Sequence, residues 1–456
     1  MVNFEKVAHF SRLYDFLNRY LRISHNFLYY KKVHIVGREN IPQKGVPTFV
    51  ISNHQNGLMD ALAILYLFND RRQPVYIARG DIFRKKIVAK ILRFLKIMPT
   101  YRSRDGGRKD IEKNTTTFSI AAKVLNDGGT LAVFPEAGHQ AGRFLSTFKK
   151  GFARIAFQAE ENGNFQRNLQ MLPLYIHYGN YFNFRSELLI VVGKPFTFQE
   201  YFQLYQQEPN QAILNLMEKS RQHIKSMALD IADKTYYRQY DLLREMFHTP
   251  LSLLKKKEKN YFYQQLQEDI QIVKNIDDLK EKNSHDFENL MEITREYEEN
   301  LTKIKLRNWV INNTKITFPQ LFFHLLFLCL VFPFFAFGFL HNILPFSMPN
   351  LLKRKIKDPM LHSSVNFAVG VIVSFPIMYI IIFTLCWILF AHFFFALGYV
   401  IAVFLSLFLF YFYKKSAIKW WASWRYWILK RKNNATIQKL EMLKKEMLTY
   451  KKYIHI

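Results

Sequence analysis

From Val365 to Tyr413 the chain runs 49 residues without an Asp, Glu, Lys or Arg, whereas one helical crossing of a bilayer's hydrocarbon takes about 20. A run of that length predicts two apolar helices with a break between them. The break is expected around Ala391 to Gly398, because the flanks SFPIMYIIIFTLCWILF and ALGYVIAVFLSLFLFYFY are each near spanning length. A second uncharged block, Ile316 to Met348, holds 33 residues and is interrupted by Pro319, Pro333, Gly338 and Pro345. It reads as a shallow hairpin bent at Phe332-Pro333, with three plain crossings as the rival arrangement.

Charge is distributed around these blocks. The chain carries 64 Lys+Arg against 36 Asp+Glu, a formal net charge of +28. Lys303, Lys305, Arg307 and Lys315 precede the first block, Lys353, Arg354, Lys355 and Lys357 separate the two, and the tail after Tyr413 is strongly basic. The positive-inside rule would put all three flanks on the cytoplasmic side. A charge this large also invites nucleic acid, but no zinc finger, RNP-like strand or helix-turn-helix signal localises it, so anionic membrane lipid is the expected partner and nucleic acid is not. Two cysteines, Cys329 and Cys386, both inside apolar runs, exclude a disulfide framework or a cysteine-rich metal site.

Five segments follow from these shifts in composition. Residues 1–32 predict an amphipathic membrane-surface helix: Phe4, Val7, Phe10, Leu13, Tyr14, Leu17, Tyr20, Leu21 and Leu28 recur at helical spacing among Arg12, Arg19 and Arg22. Docking of that helix on its own domain is the alternative. Residues 33–245 predict an α/β domain, 246–315 a charged helical linker or coiled-coil arm, 316–413 the membrane-embedded segments, and 414–456 a basic amphipathic tail. Within the α/β domain VHIVG, PTFVIS, QPVYIA, GTLAVF, QMLPLYIHY and ELLIVVG are the strand candidates.

Two polar clusters lie just past strand candidates, where open α/β sheets hold ligands. One is Ser52, Asn53, His54, Gln55 and Asn56; the other runs from Pro135 through Glu136, Ala137, Gly138, His139 and Gln140. If their strands are neighbours, the two loops face one crevice. His54 and Asp60 make a possible general base and orienting carboxylate: the acid fixes the imidazole tautomer and frees the other nitrogen to take a proton. No Gly-x-Ser-x-Gly elbow accompanies them, so an acyl-serine route has little support. The bland reading keeps His54 as a helix cap, Asp60 as a first-turn carboxylate, and Arg102 and Arg104 as part of a solvated basic face. His177 and Tyr178 read as core or rim residues.

The strings SNHQNGLMDA, GDIFRKKIVAKILRFLKIMPTYRSRDG, LAVFPEAGHQ, FKKGFARIAF and MLPLYIHY occur in this order over about residues 33 to 200. In that order and spacing the chain resembles the PlsC-like glycerolipid acyltransferases, the glycerol-3-phosphate and 1-acylglycerol-3-phosphate acyltransferase family. The resemblance implies a mixed sheet flanked by helices. It implies His54 as the general base for the acceptor hydroxyl, Asp60 as its orienting acid, and direct attack on an acyl thioester with no covalent acyl-enzyme. It further implies Arg102, with Arg104 as a neighbour, on the acceptor phosphate, and Glu136 in acceptor binding or loop ordering. Gly138, His139 and Lys149 join the substrate-binding set; His139 and Lys149, with Arg143 and Lys150, are the cations available where the family's FPEGTRS has an arginine that FPEAGHQ lacks.

The expected acyl donor is acyl-CoA or acyl carrier protein, with no further cofactor and no metal; the acceptor is a glycerol phosphate. Five residues separate His54 from Asp60 where four are common, which requires the loop to bulge, and Gly57 can absorb the bulge. Lys96 stands where the second block often has glycine. Two rivals come from other classes: a metal-dependent hydrolase with His54, Asp60, Glu136 and His139 as ligands, and a non-enzymatic basic protein of membrane surfaces or nucleic acid.

Overall fold

The computed structural model describes residues 4–101, 108–138, 142–249, 254, 260–312 and 316–454. The chain divides into two compact units, one formed by Met1–Asp230 with Ile356–Phe367 and the other by Ile231–Lys355 with Ala368–Ile456. The main stretch of the first unit ends at Asp230. Residues 356–367, a stretch that composition leaves beside the apolar blocks, belong with the α/β head.

The head is a seven-stranded mixed sheet in the order β1-β7-β6-β2-β5-β3-β4. Its strands are β1 (Lys32–Val36), β2 (Thr48–Ser52), β3 (Val75–Arg79), β4 (Ile97–Thr100), β5 (Thr130–Val133), β6 (Gln170–Tyr178) and β7 (Glu187–Val192). All neighbours are parallel except β6 and β7. β2, β5 and nearly all of β6 and β7 are buried, which is why they read as continuous apolar runs rather than alternating ones. β4 was not among the six strand candidates, because Pro99 and a length of 4 residues argue against a strand; an edge position accommodates both.

Helices α1 (Arg12–Ile23), α2 (Leu58–Leu65), α3 (Lys86–Phe94), α4 (Arg108–Asn126), α5 (Gly151–Asn162) and α6 (Pro209–Lys225) accompany the sheet. The amino-terminal helix docks one face on its own domain and keeps a second apolar face exposed. Tyr14 and Asp15 are buried against the head, while Leu13, Phe16 and Ile23, with Phe10 and Phe27 beyond its ends, form an exposed apolar row. Lys96 has φ +60, the left-handed region where glycine is at ease, and its buried ammonium donates to the carbonyls of Val7 and His9 at 2.8 and 2.6 Å. That use of the side chain accounts for a lysine at a glycine-favouring position, and burial pulls its amine down to about 8.

The second unit is helical: α7 (Tyr237–Phe247), α8 (Tyr261–Lys282), α9 (Ser284–Lys303), α10 (Phe318–Lys353), α11 (Phe375–Phe390), α12 (Phe393–Arg431) and α13 (Ala435–Thr449). Arg244 and Asp269 form a buried ion pair at 2.8 Å between α7 and α8. α11 and α12 are separated at Ala391, whose φ of +50 ends the first helix, so the break falls in the expected stretch. α10 is one 36-residue helix that runs through Pro333 without interruption, so the hairpin expected at Phe332-Pro333 is absent. One missing N–H is a small loss in so long a helix with apolar neighbours on its flank.

Three helical runs, Phe318–Lys353, Pro359–Phe390 and Phe393–Arg431, are long and apolar enough to cross a membrane. Their large side chains face outward, Leu330, Ile388 and Phe394 each more than 70% exposed. An apolar surface of this extent associates with a membrane rather than with water.

Candidate active site

β2 is the central strand and pairs with β5 on one side and β6 on the other. The loops after β2 and β5 therefore emerge side by side at the same sheet edge. Asn53 fixes the first of them: its side chain donates to the Ile176 carbonyl at 3.0 Å and accepts from the Ile176 N–H at 2.7 Å. The loop then turns through Gly57, at φ +51 and ψ −122, before α2 begins at Leu58. This is where the extra residue between His54 and Asp60 is accommodated.

Asp60 lies in the first turn of α2 and is wholly buried, reaching back over that turn. Its Oδ2 accepts from His54 Nδ1 at 2.8 Å, from the Gln55 N–H at 2.8 Å and from the Asn56 N–H at 2.7 Å. Its Oδ1 accepts from the Tyr178 hydroxyl at 2.5 Å. Four donors compensate the cost of burying this carboxylate. Because Oδ2 is an acceptor, the proton of the neutral imidazole sits on Nδ1, and Nε2 keeps its lone pair. The ring stacks on Phe134 at 4.2 Å and 14°, and the His54 side chain stays 17% exposed. His54 is thus held on one side, oriented on a flat face, and open on another.

Glu136 ties the two loops together. Oε1 accepts from the His54 N–H and Oε2 from the Ser146 N–H, both at 3.1 Å. Burial pushes its carboxyl up to about 7, against the two N–H donors that pull it down. The following Ala137 has φ +55, the left-handed position where FPEGTRS would place glycine. A Cβ at Gly138 would meet nothing within 4 Å, so that glycine answers to no close contact here. The Lys149 N–H donates to the Pro135 carbonyl at 2.8 Å, which puts the residue beside the Glu136 turn with its side chain exposed. Arg143 lies over the Tyr181 ring at 5.9 Å, and Tyr181 in turn donates to Gln55, so a cation does stand near the His54 loop. Arg102, Arg104 and His139 lie outside the described residues. Among the described residues no three His, Cys, Asp or Glu side chains converge as a metal cage would require.

Sequence patterns did not reveal two contributors. Tyr178 is core, as it reads, but β6 continues four residues past Leu174, the partner of Ser52, which carries the Tyr178 hydroxyl over the α2 turn. Only the register gives that away. Ser364 contacts the same turn from 306 positions down the chain, and no local pattern signals it.

The family model described as Acyltransferase matches residues 32–177, the stretch that carries His54, Asp60 and Glu136. Residues 32–177 match as an acyltransferase domain. Relatives of this acyltransferase domain include a Mycoplasma pneumoniae protein named "Probable 1-acyl-sn-glycerol-3-phosphate acyltransferase", 30% identical over 29% of this chain and 48% of that one. A Borreliella burgdorferi 1-acyl-sn-glycerol-3-phosphate acyltransferase is 26% identical over 28% of this chain and 47% of its own. A chloroplastic enzyme of the same name from Arabidopsis thaliana is 26% identical over 27% and 32% respectively. The chain spans about half or less of the length of these curated relatives. The crystal structure of the 1-acyl-sn-glycerophosphate acyltransferase PlsC from Thermotoga maritima is similar at 19% identity and a TM-score of 0.32, over 45% of this chain and 78% of that one.

Proposed function

We propose that this protein is a membrane-bound O-acyltransferase of phospholipid synthesis, moving a fatty acyl group from acyl-CoA or acyl carrier protein to a hydroxyl of glycerol-3-phosphate or 1-acylglycerol-3-phosphate. The observation that carries the proposal is the three-donor grip on Asp60 Oδ2, which fixes the Nδ1 side of a partly exposed His54 imidazole and leaves the basic lone pair on Nε2. Nε2 takes the acceptor's hydroxyl proton while the oxygen attacks the thioester carbonyl carbon. The carbon–sulfur bond breaks, and the departing thiolate receives the proton from the imidazolium. Asp60 balances the positive charge that His54 carries in between.

Glu136 acts as the tie between the two loops, since both its oxygens are occupied by backbone donors. Arg102, with Arg104, holds the acceptor phosphate through a bidentate fork, and His139, Lys149 and the Gly138 turn complete the acceptor site. The head faces the cytoplasm, where the basic flanks of the apolar blocks favour it. The test is an assay of membranes with labelled acyl donors, offering glycerol-3-phosphate, dihydroxyacetone phosphate and lysophosphatidate side by side. Labelled product that disappears in His54→Ala supports the proposal; no product with either donor on any acceptor overturns it.

A further inference from the structure

The α2 helix carries Asp60 but has no cap of its own. Its N-cap position is Gly57, which has no side-chain oxygen to offer the first helical N–H groups. That oxygen comes from elsewhere in the head unit. Ser364 Oγ accepts from the Leu58 N–H at 3.0 Å, and Ser364 is buried. Gly57 is also the point of closest approach: a Cβ there would lie 2.9 Å from Leu361 Cδ2 and 3.0 Å from Ser364 Oγ. The bulge that accommodates the longer His–Asp spacing is therefore filled and capped by the same short segment.

The segment is firmly seated. Ser363 Oγ donates to the Tyr181 carbonyl, which also accepts from the Asn56 side chain at 3.1 Å. The Tyr29 hydroxyl reaches the Ser363 carbonyl at 3.4 Å. Phe367, 1% exposed, packs edge-on against the rings of His25 and Tyr29 at 5.9 and 5.6 Å, and Met360 is equally buried. Three parts of the head that are far apart in sequence thus meet on this strap.

We infer that residues 356–367 are a positioning element of the active site, in which Ser364 caps the helix that bears Asp60 and so holds the carboxylate on His54. The inference rests on the acyltransferase reading for its kinetic consequence but not for its geometry. An uncapped first turn frays, Asp60 loosens from the imidazole, and the base loses both orientation and charge compensation. Ser364 touches no substrate; it acts through Asp60.

The test uses the full-length protein in membranes. Ser364→Ala should lower kcat roughly fivefold, in keeping with the ~1 kcal/mol that a lost N-cap costs, with the KM of donor and acceptor little changed. Ser364→Thr, which keeps the hydroxyl, should restore most of the lost kcat. Should Ser364→Ala fail to accumulate, Ser364→Cys offers a near-isosteric side chain with a weak acceptor and the same expected result.

Independently of turnover, hydrogen exchange of the Leu58–Leu65 peptide should quicken in Ser364→Ala. Unchanged exchange, or a Ser364→Thr variant as slow as Ser364→Ala, would overturn the positioning role. Wild-type protein inactive on every acceptor would remove the acyltransferase reading instead, and the exchange measurement would still decide the strap.

Discussion

Replacing Asp60 by Asn isolates the charge of the dyad from its shape. The amide oxygen can take over all three N–H donors now on Oδ2, and the amide nitrogen can donate to the Tyr178 oxygen, whose hydroxyl then accepts. The fold should therefore survive, with a loss of about 1 kcal/mol for each hydrogen bond that ceases to be charge-assisted. The reaction should not survive as well. Proton transfer to His54 creates a cation next to the carboxylate, and at a charge separation of about 4 Å with an effective dielectric near 20 such a pair is worth about 4 kcal/mol. Losing that stabilisation in the transition state corresponds to roughly a thousandfold lower kcat. Initial rates with labelled acyl-CoA, separated into kcat and KM, together with a thermal unfolding midpoint, measure both halves of the claim. A folded Asp60→Asn protein with kcat within tenfold of wild type would show that His54 does not carry positive charge during the reaction.

Burial raises the Glu136 carboxyl from 4.5 to about 7, so the folded protein binds more protons than the unfolded chain across that window, and the group's contribution to stability falls as pH rises through it. Glu136→Gln should lack this slope, and the stability of wild type relative to the variant should fall by about 3 kcal/mol from pH 4.5 to 7.5, read from unfolding midpoints. Tyr178→Phe strips Oδ1 of Asp60 of its donor and should cost about 2 kcal/mol of stability with a smaller kcat loss than Asp60→Asn, checked by the same two assays. Lys96→Met removes the ammonium from the Val7 and His9 carbonyls, and limited proteolysis should then cut the first ten residues faster than in wild type. A cysteine placed at Lys355 should react with an impermeant thiol reagent only from the side on which the head is accessible; labelling from the opposite side would give α10 a full crossing.

Much of the site was legible because its chemistry is local. His54 and Asp60 stand six positions apart, and a strand followed by a helical pattern already puts them on one turn. Glu136 follows another buried apolar run, and only the adjacency of β2 and β5 had to be supplied by the fold. Tyr178 was readable as core but not as a partner of Asp60, since its reach depends on how far β6 runs past β2. Ser364 was not legible at all: a serine beside an apolar block carries no mark of the helix it caps 306 residues earlier. The amphipathic amino terminus gave two readings because the residues of its two faces, Tyr14 inward and Phe16 outward, are alike in hydrophobicity. Hydropathy could not separate them.

The membership of residues 356–367 in the head constrains the path of the chain. Residues 1–230 and 356–367 form one compact unit, so a membrane topology for this chain has to bring both stretches to one face of the bilayer, with an even number of crossings between them. Helices α8 and α9 are too rich in Glu, Asp and Lys to cross hydrocarbon, since each such group costs several kcal/mol there. Among the described residues between them only α10 is long and apolar enough to cross, and a single crossing by it would break the parity. At 36 residues and 1.5 Å per residue it is about 54 Å long, well beyond the thickness it would need to span, and it carries Pro333, Pro345 and Pro349. A path of α10 that enters and leaves on one face is therefore the outcome expected of the Lys355 labelling, and it suits both the helix's length and its apolar surface. The basic residues on either side of it, Arg307 and Lys355 among them, then share a side, as the distribution of positive charge along the sequence requires.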